Sequence, residues 1–300
     1  MGSTYIPSMT SDASLVSAPA SPEQIQVCRY PRVLSIAGSD SGGGAGIQAD
    51  LKTIAAHGCY GMTAITALTA QNTQGVRAVH PVPVAHLVQE IDAVAEDIGV
   101  DAVKTGMLAT PDVVHAVVAA IQRHGWTQVV VDPVMVATSG DMLMANETVE
   151  VMVASLFPHA TLVTPNLDEA ECLLGQRITR VEQLLPAAQR LIALGARAVL
   201  LKGGHLPGNE VVDLLLMADG EHLHLASPRV ASVNVHGTGC TLSAAIACEL
   251  ALGAALPQAV RAARSYILQA IEAGAYVHTG QGHGPLNHGF APLPMRRLAI

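Results

Sequence analysis

The chain reads as a single α/β domain with a doubly wound, mostly parallel central sheet flanked by helices, and three observations predict it. Short apolar runs, each of strand length, alternate with amphipathic stretches of helical period. Half of the residues are apolar but only 3% are aromatic, so Val, Ala, Leu and Ile must fill the interior, as in strands buried on both faces. The 300 residues lie within what one α/β core fills, and no internal repeat or second compositional zone divides them.

Residues 1–28 are rich in Ser, Ala, Thr and Pro and lack the apolar centre of a signal peptide, so a disordered tail is expected there and the folded domain over 29–294. Strands are expected at 33–37, 64–68, 102–104, 129–132, 161–164 and 199–202, most of them leading into a Gly, Pro or Asn turn. Helices are expected over 84–98, 111–124, 147–157 and 181–194, between successive strands. From 211 to 226 the pattern changes to alternation around Asp219-Gly220, which reads as an edge hairpin. Two longer helices follow, about 238–252 and 256–275, and 280–294 is loop-like.

The formal charge of -8, with 16 Lys plus Arg and no basic cluster, does not indicate a nucleic-acid surface, and no nucleic-acid partner is expected. No apolar run has the length of a membrane span, so a soluble protein is expected. Five cysteines without CxxC spacing fit a reducing cytoplasm. Thirteen histidines without HExxH spacing suggest no catalytic zinc.

In open α/β sheets ligands collect beyond the carboxyl ends of the strands. That rule gathers 38–46, Gln71, 104–107, 132–135, 165–169, 202–205 and 235–240 around one cleft. The segment His236-Gly237-Thr238-Gly239-Cys240 runs directly into a good helix former. Its two glycines let backbone N–H groups converge, and the helix dipole adds positive potential, which makes an anion hole suited to a phosphoryl group. Cys240 falls in the first turn of that helix, where a thiol pKa can drop from about 8.5 toward neutrality and the sulfur could take a proton from a hydroxyl. Cys248, two turns on, is expected to be plain core.

The glycine-rich stretch 38–46 is neither a P-loop nor a strict dinucleotide fingerprint, and leaves open a flexible loop or a close backbone approach. Lys202 ends a very apolar strand and could neutralise polyphosphate charge. Asn166, Asp168 and Glu169 could hold magnesium through water or simply cap a helix. Asp132 is a carboxylate at a strand end, and Gln71 can donate and accept together, as a planar amino-heterocycle requires.

Taken in order, Ala37-Gly38-Ser39-Asp40, Gly43-Gly44-Ala45-Gly46-Ile47-Gln48-Ala49-Asp50-Leu51-Lys52-Thr53, Ala70-Gln71-Asn72-Thr73, Lys104-Thr105-Gly106-Met107-Leu108, Asp132-Pro133-Val134-Met135, Thr164-Pro165-Asn166-Leu167, Lys202-Gly203-Gly204-His205 and His236-Gly237-Thr238-Gly239-Cys240-Thr241 resemble the ribokinase-like superfamily. Within it they resemble the hydroxymethylpyrimidine and phosphomethylpyrimidine kinases, over about residues 32–292. The resemblance implies ATP and Mg2+, two successive phosphorylations of a small pyrimidine alcohol at one site, and a homodimer. It implies a catalytic set of Cys240, Gly237, Thr238, Gly239 and Lys202, with Cys240 where sugar kinases carry an aspartate base. It implies pyrimidine binding by Gln71, Gly38, Asp50, Ala45, Met107 and Val134, and nucleotide phosphate binding by Asn166, Lys202, Thr238 and Gly239. Glu169 and Asp132 are the implied magnesium residues, through water. Thr69 stands where related enzymes often have an aliphatic residue. Pyridoxal kinases, some of which share the cysteine-bearing loop, mark the rival substrate, and a non-catalytic heterocycle sensor the rival of a different class.

Overall fold

The computed structural model describes residues 27–135 and 144–300. The expected tail thus lies outside the described residues, apart from Val27 and Cys28.

Nine strands form the main sheet: β2 (Arg32–Asp40), β3 (Tyr60–Asn72), β4 (Gly75–Pro81), β5 (Ala102–Thr105), β6 (Val129–Val131), β7 (Leu162–Val163), β8 (Ala198–Leu201), β9 (Glu210–Met217) and β10 (His222–Pro228). Their order is β10-β9-β8-β7-β6-β5-β2-β3-β4. The six strands from β8 to β3 are parallel; β4 closes one edge antiparallel, and the β9–β10 hairpin closes the other. A two-stranded ribbon, β1 (Cys28–Arg29) with β11 (Leu298–Ala299), ties the ends of the described chain together.

Eight α-helices cover the sheet: α1 (Gly46–Ala56), α2 (Val84–Asp97), α3 (Pro111–His124), α4 (Asn146–Val151), α5 (Leu167–Leu174), α6 (Leu184–Ile192), α7 (Thr238–Ala251) and α8 (Leu256–Gly274), counted among the described residues. Successive strand side chains feed opposite faces, as the pleat dictates. Val129, Val131, Val199 and Leu201 join a core with residues of α2, α3, α5 and α6. Val130, Ala198 and Leu200 join the opposite core with α7 and α8. Burial on both faces is why these strands are continuous aliphatic runs without aromatic residues.

The six expected strands, the hairpin and the helices all form, with differences that have local causes. The stretch expected as one helix over 147–157 is α4, then a widened turn at Met152–Leu156 and a tight one at Phe157–His159. Pro158 has no N–H for the helical ladder and its ring crowds the preceding turn, so the helix loosens there. The short strand expected at 64–68 belongs to a strand of thirteen residues. Beyond β2 it continues paired with β4, which carries Gln71 past the carboxyl edge of the sheet. β4 escaped the sequence pattern because most of it is exposed and buries no face. β1 and β11, two residues each, offer no periodicity to read.

The chain leaves β2 for β3 on one side and reaches β5 on the other, so the winding direction reverses at β2. The crevice at such a reversal is where this architecture binds ligands.

Candidate active site

All seven strand-end segments expected to share a cleft line one cavity of about 780 Å³. Its floor lies at the ends of β2 and β5. Asp40 closes β2, and its carboxylate accepts the N–H groups of Gly42 (2.8 Å), Gly44 (3.0 Å) and Ala45 (2.8 Å), with His236 Nε2 3.0 Å away. Burial opposes its charge, but His236 and the backbone N–H groups outweigh burial and hold Asp40 at about 2. The glycine run is therefore wound around a carboxylate, not a loose loop.

The second loop enters α7 through Gly237, whose φ of +85° is left-handed. A side chain there would overlap the carbonyl oxygen of Gly44. A Cβ on Gly44 would in turn lie 2.5 Å from the His236 ring. The two glycine loops interlock through bare backbone. Thr238 N–H and Oγ1 both donate to Val235 O, and Thr241 N–H donates to Gly237 O. The N–H groups of Gly239 and Cys240, in the first turn, have no acceptor one turn back, and both residues line the cavity.

Lys202, at the end of β8, holds Asp132 Oδ1 at 3.0 Å, and Thr164 Oγ1 donates to the same oxygen at 3.1 Å. A Cβ on Gly239 would lie 3.1 Å from Lys202 Nζ, so that ammonium sits against the first turn of α7. Burial opposes the charge of Lys202, while Asp132 and Glu169 more than offset it and raise its pKa. Asn166 and Glu169 form a capping box at the start of α5: Glu169 N–H donates to Asn166 Oδ1 at 2.9 Å, and Asn166 N–H to Glu169 Oε2 at 2.8 Å. Burial is the main reason Glu169 is pushed up to about 7, against the pull of Lys202.

Beneath this wall, Lys104 and Asp50 form a fully buried ion pair, with Nζ 3.0 and 2.9 Å from the two carboxylate oxygens. Ser35 Oγ donates to Asp50 at 2.5 Å. Gly38, Ala45, Gln71, Met107 and Val134 line the cavity, but Asp50 does not; the lysine stands between it and the space above. Asp50 therefore reaches a bound molecule only through Lys104. Cys240 also departs from expectation. Burial, joined by the charges of Asp50 and Asp132, pushes its thiol up to about 11, and Lys104 and the Gly46 N–H only partly oppose this. The first turn of a helix favours a thiolate, but here the side chain is half-buried at the cavity wall beside two carboxylates, and partial desolvation with their charges outweighs the helix. Cys248 is buried core.

The sequence placed Asp40, His236 and Lys104 in cleft segments without giving any of them a role of its own, and did not place His288 there. Asp40 directly precedes a run of glycine N–H groups that need an acceptor, and Lys104 is a charge in a buried strand that needs a partner; both signals were readable. His288 was not, because its link to the anion helix, Nε2 3.0 Å from Thr241 Oγ1, joins segments 47 residues apart.

The family model of phosphomethylpyrimidine kinase matches residues 40–287. The chain belongs to the phosphomethylpyrimidine kinase family. It is 50% identical to a hydroxymethylpyrimidine/phosphomethylpyrimidine kinase of Rhizobium meliloti, over 85% of this chain and 96% of that one. It is 51% identical to the thiamine biosynthesis bifunctional protein ThiED of Geobacter sulfurreducens over 89% of this chain, and spans 54% of that longer protein. Among solved structures, the ADP complex of Bacillus subtilis pyridoxal kinase superposes with a TM-score of 0.80 at 37% identity, covering 87% of this chain and 98% of that one. The family thus accounts for the ribokinase-like order of motifs along the sequence. No helix among the described residues is long and apolar enough to cross a membrane.

Proposed function

We propose that the chain transfers the γ-phosphoryl group of ATP to the hydroxymethyl oxygen of 4-amino-5-hydroxymethyl-2-methylpyrimidine, and in a second round to the phosphate of the product. The carrying observation is that Gln71, Cys240, Lys202 and the open first turn of α7 all line one cavity. A heteroaromatic ring against Gln71 points its CH2OH toward Cys240 and the N–H groups of Gly239 and Cys240. The alcohol oxygen forms the new P–O bond as the β–γ bridge bond breaks and ADP leaves, and the alcohol proton passes to water. Phosphoryl transfer depends mainly on alignment and charge compensation, so a neutral thiol that holds the hydroxyl by hydrogen bonding suffices.

The far end of the cavity is apolar, lined by Val211, Pro228, Val230, Leu242, Ile267 and Ile271, which suits a flat nucleobase. The related pyridoxal kinase, solved with ADP, supports a nucleotide there. Among the described residues no group of three or more His, Cys, Asp or Glu forms a metal cage. Two carboxylates, Asp132 and Glu169, line the phosphate end instead, and Glu169 is the kind of buried, undercompensated acid that a cation restores to its charge. This donor set fits Mg2+, which takes one or two carboxylates and completes its shell with waters and phosphates. When bound, magnesium neutralises charge on the β- and γ-phosphates; Lys202 and the α7 backbone hold the rest. The proposal includes a homodimer in the cytoplasm, the former checked by sedimentation equilibrium.

Pyridoxal is the second reading, favoured by the likeness to a pyridoxal kinase. An ADP-release assay with the pyrimidine alcohol, its monophosphate and pyridoxal side by side decides between them. The proposal expects product masses with one and then two added phosphates, and a higher kcat/KM for the pyrimidine. No ADP release with either pyrimidine would sink it.

A further inference from the structure

His236 Nε2 faces two groups at once: Asp40 Oδ2 at 3.0 Å and the atom placed as the amide nitrogen Nε2 of Gln71 at 3.2 Å. Asp40 is a carboxylate that already accepts three backbone N–H groups, so it can offer His236 only lone pairs. Nε2 must then carry its hydrogen. A second donor cannot sit against an N–H, so the group of Gln71 that belongs beside His236 is its carbonyl oxygen, sharing that hydrogen with Asp40. Amide orientation follows from such a network, since oxygen and nitrogen are isosteric. The residue is itself held in place: Gly44 packs under the ring, and the backbone N–H of His236 donates to Gly284 O.

We infer that Asp40 and His236 are positioning residues that fix the polarity of the Gln71 amide, so that its NH2 is presented to a ring nitrogen acceptor and its carbonyl keeps one lone pair for an adjacent amino donor. This rests on the proposed pyrimidine activity and deepens it. The substrate class selected is a heteroaromatic alcohol with an unprotonated ring nitrogen beside an exocyclic amine. A ring with the reverse pattern, N–H beside a carbonyl, meets two opposed pairs.

The test compares 4-amino-5-hydroxymethyl-2-methylpyrimidine with its 4-oxo counterpart, whose ring N–H and carbonyl reverse the pattern. Wild-type chain is expected to favour the amino ring in kcat/KM by on the order of 100-fold, mainly through KM, as opposed buried pairs cost more than absent ones. His236→Ala frees the amide to turn over, and the preference should fall below about 10-fold. A merely structural loss would lower both rings by the same factor. Gln71→Glu, at a half-buried position, keeps an oxygen against His236 and replaces the NH2 by a second acceptor, so each ring meets one matched and one opposed pair and the preference should again fall below about 10-fold. Wild-type chain that fails to phosphorylate the amino ring overturns the proposed activity and this assignment with it. Turnover of the amino ring with an unchanged preference in His236→Ala, or a retained amino preference in Gln71→Glu, overturns the assignment alone.

Discussion

Cys240 shows how a residue's type and its environment can point in different directions. The sequence placed a thiol at a helix start, where activation is the usual outcome; burial beside two carboxylates reverses it. Because its pKa lies near 11, the thiol is neutral at pH 7 and its thiolate fraction grows as pH rises through that value. Alkylation of Cys240 by iodoacetamide in the ligand-free protein should therefore be slow near neutrality and accelerate tenfold per pH unit up to about 11; a plateau by pH 8 would show an activated thiol. Cys240→Ala should lower kcat by on the order of 100-fold while nucleotide affinity changes less than about twofold. Turnover that stays unchanged removes the side chain from the reaction. Sequence reading found the residue and missed its state, because desolvation is a property of what other segments bring near.

Among the elements, α5 carries two functions on one turn. Asn166 and Glu169 cap the helix reciprocally, and the same Glu169 lines the cavity, at the end proposed to take phosphate. The two uses separate experimentally, because glutamine can take the reciprocal place in a capping box but cannot offer magnesium a charge. Glu169→Gln should alter unfolding free energy in urea by less than about 1 kcal/mol, while the magnesium concentration giving half-maximal rate rises several-fold. A large loss of stability with unchanged magnesium dependence would leave only the cap. The sequence offered both readings of Asn166 to Glu169 as alternatives; the structure shows that the cap exists and that it leaves the carboxyl at the cavity wall. β3 is the opposite case. Its length, which places Gln71, depends on pairing with an exposed strand whose own sequence carries almost no signal.

Across the whole molecule, the parallel sheet, its helices and the gathering of strand ends were legible, because aliphatic runs and helical periods are local and the crevice rule follows from topology. What stayed hidden joins distant segments: Asp50 to Lys104, Asp40 to His236, Thr241 to His288. The first of these is fully buried, so removing one partner strands a charge. Lys104→Met should cost about 3–5 kcal/mol in urea unfolding, and adding Asp50→Leu should recover a large part of it; additive losses would show that the two residues are not coupled. The interlock of Gly44 with Gly237 has a consequence for the chain as it is made. The proposed phosphate cradle needs a loop from the first fifth of the sequence seated against one from the last quarter, with no side chain between them. A ribosome-bound chain that has not yet extruded α7 already has all nine strands of the main sheet but only half of that interlock, so on the proposed reading it cannot yet hold a triphosphate.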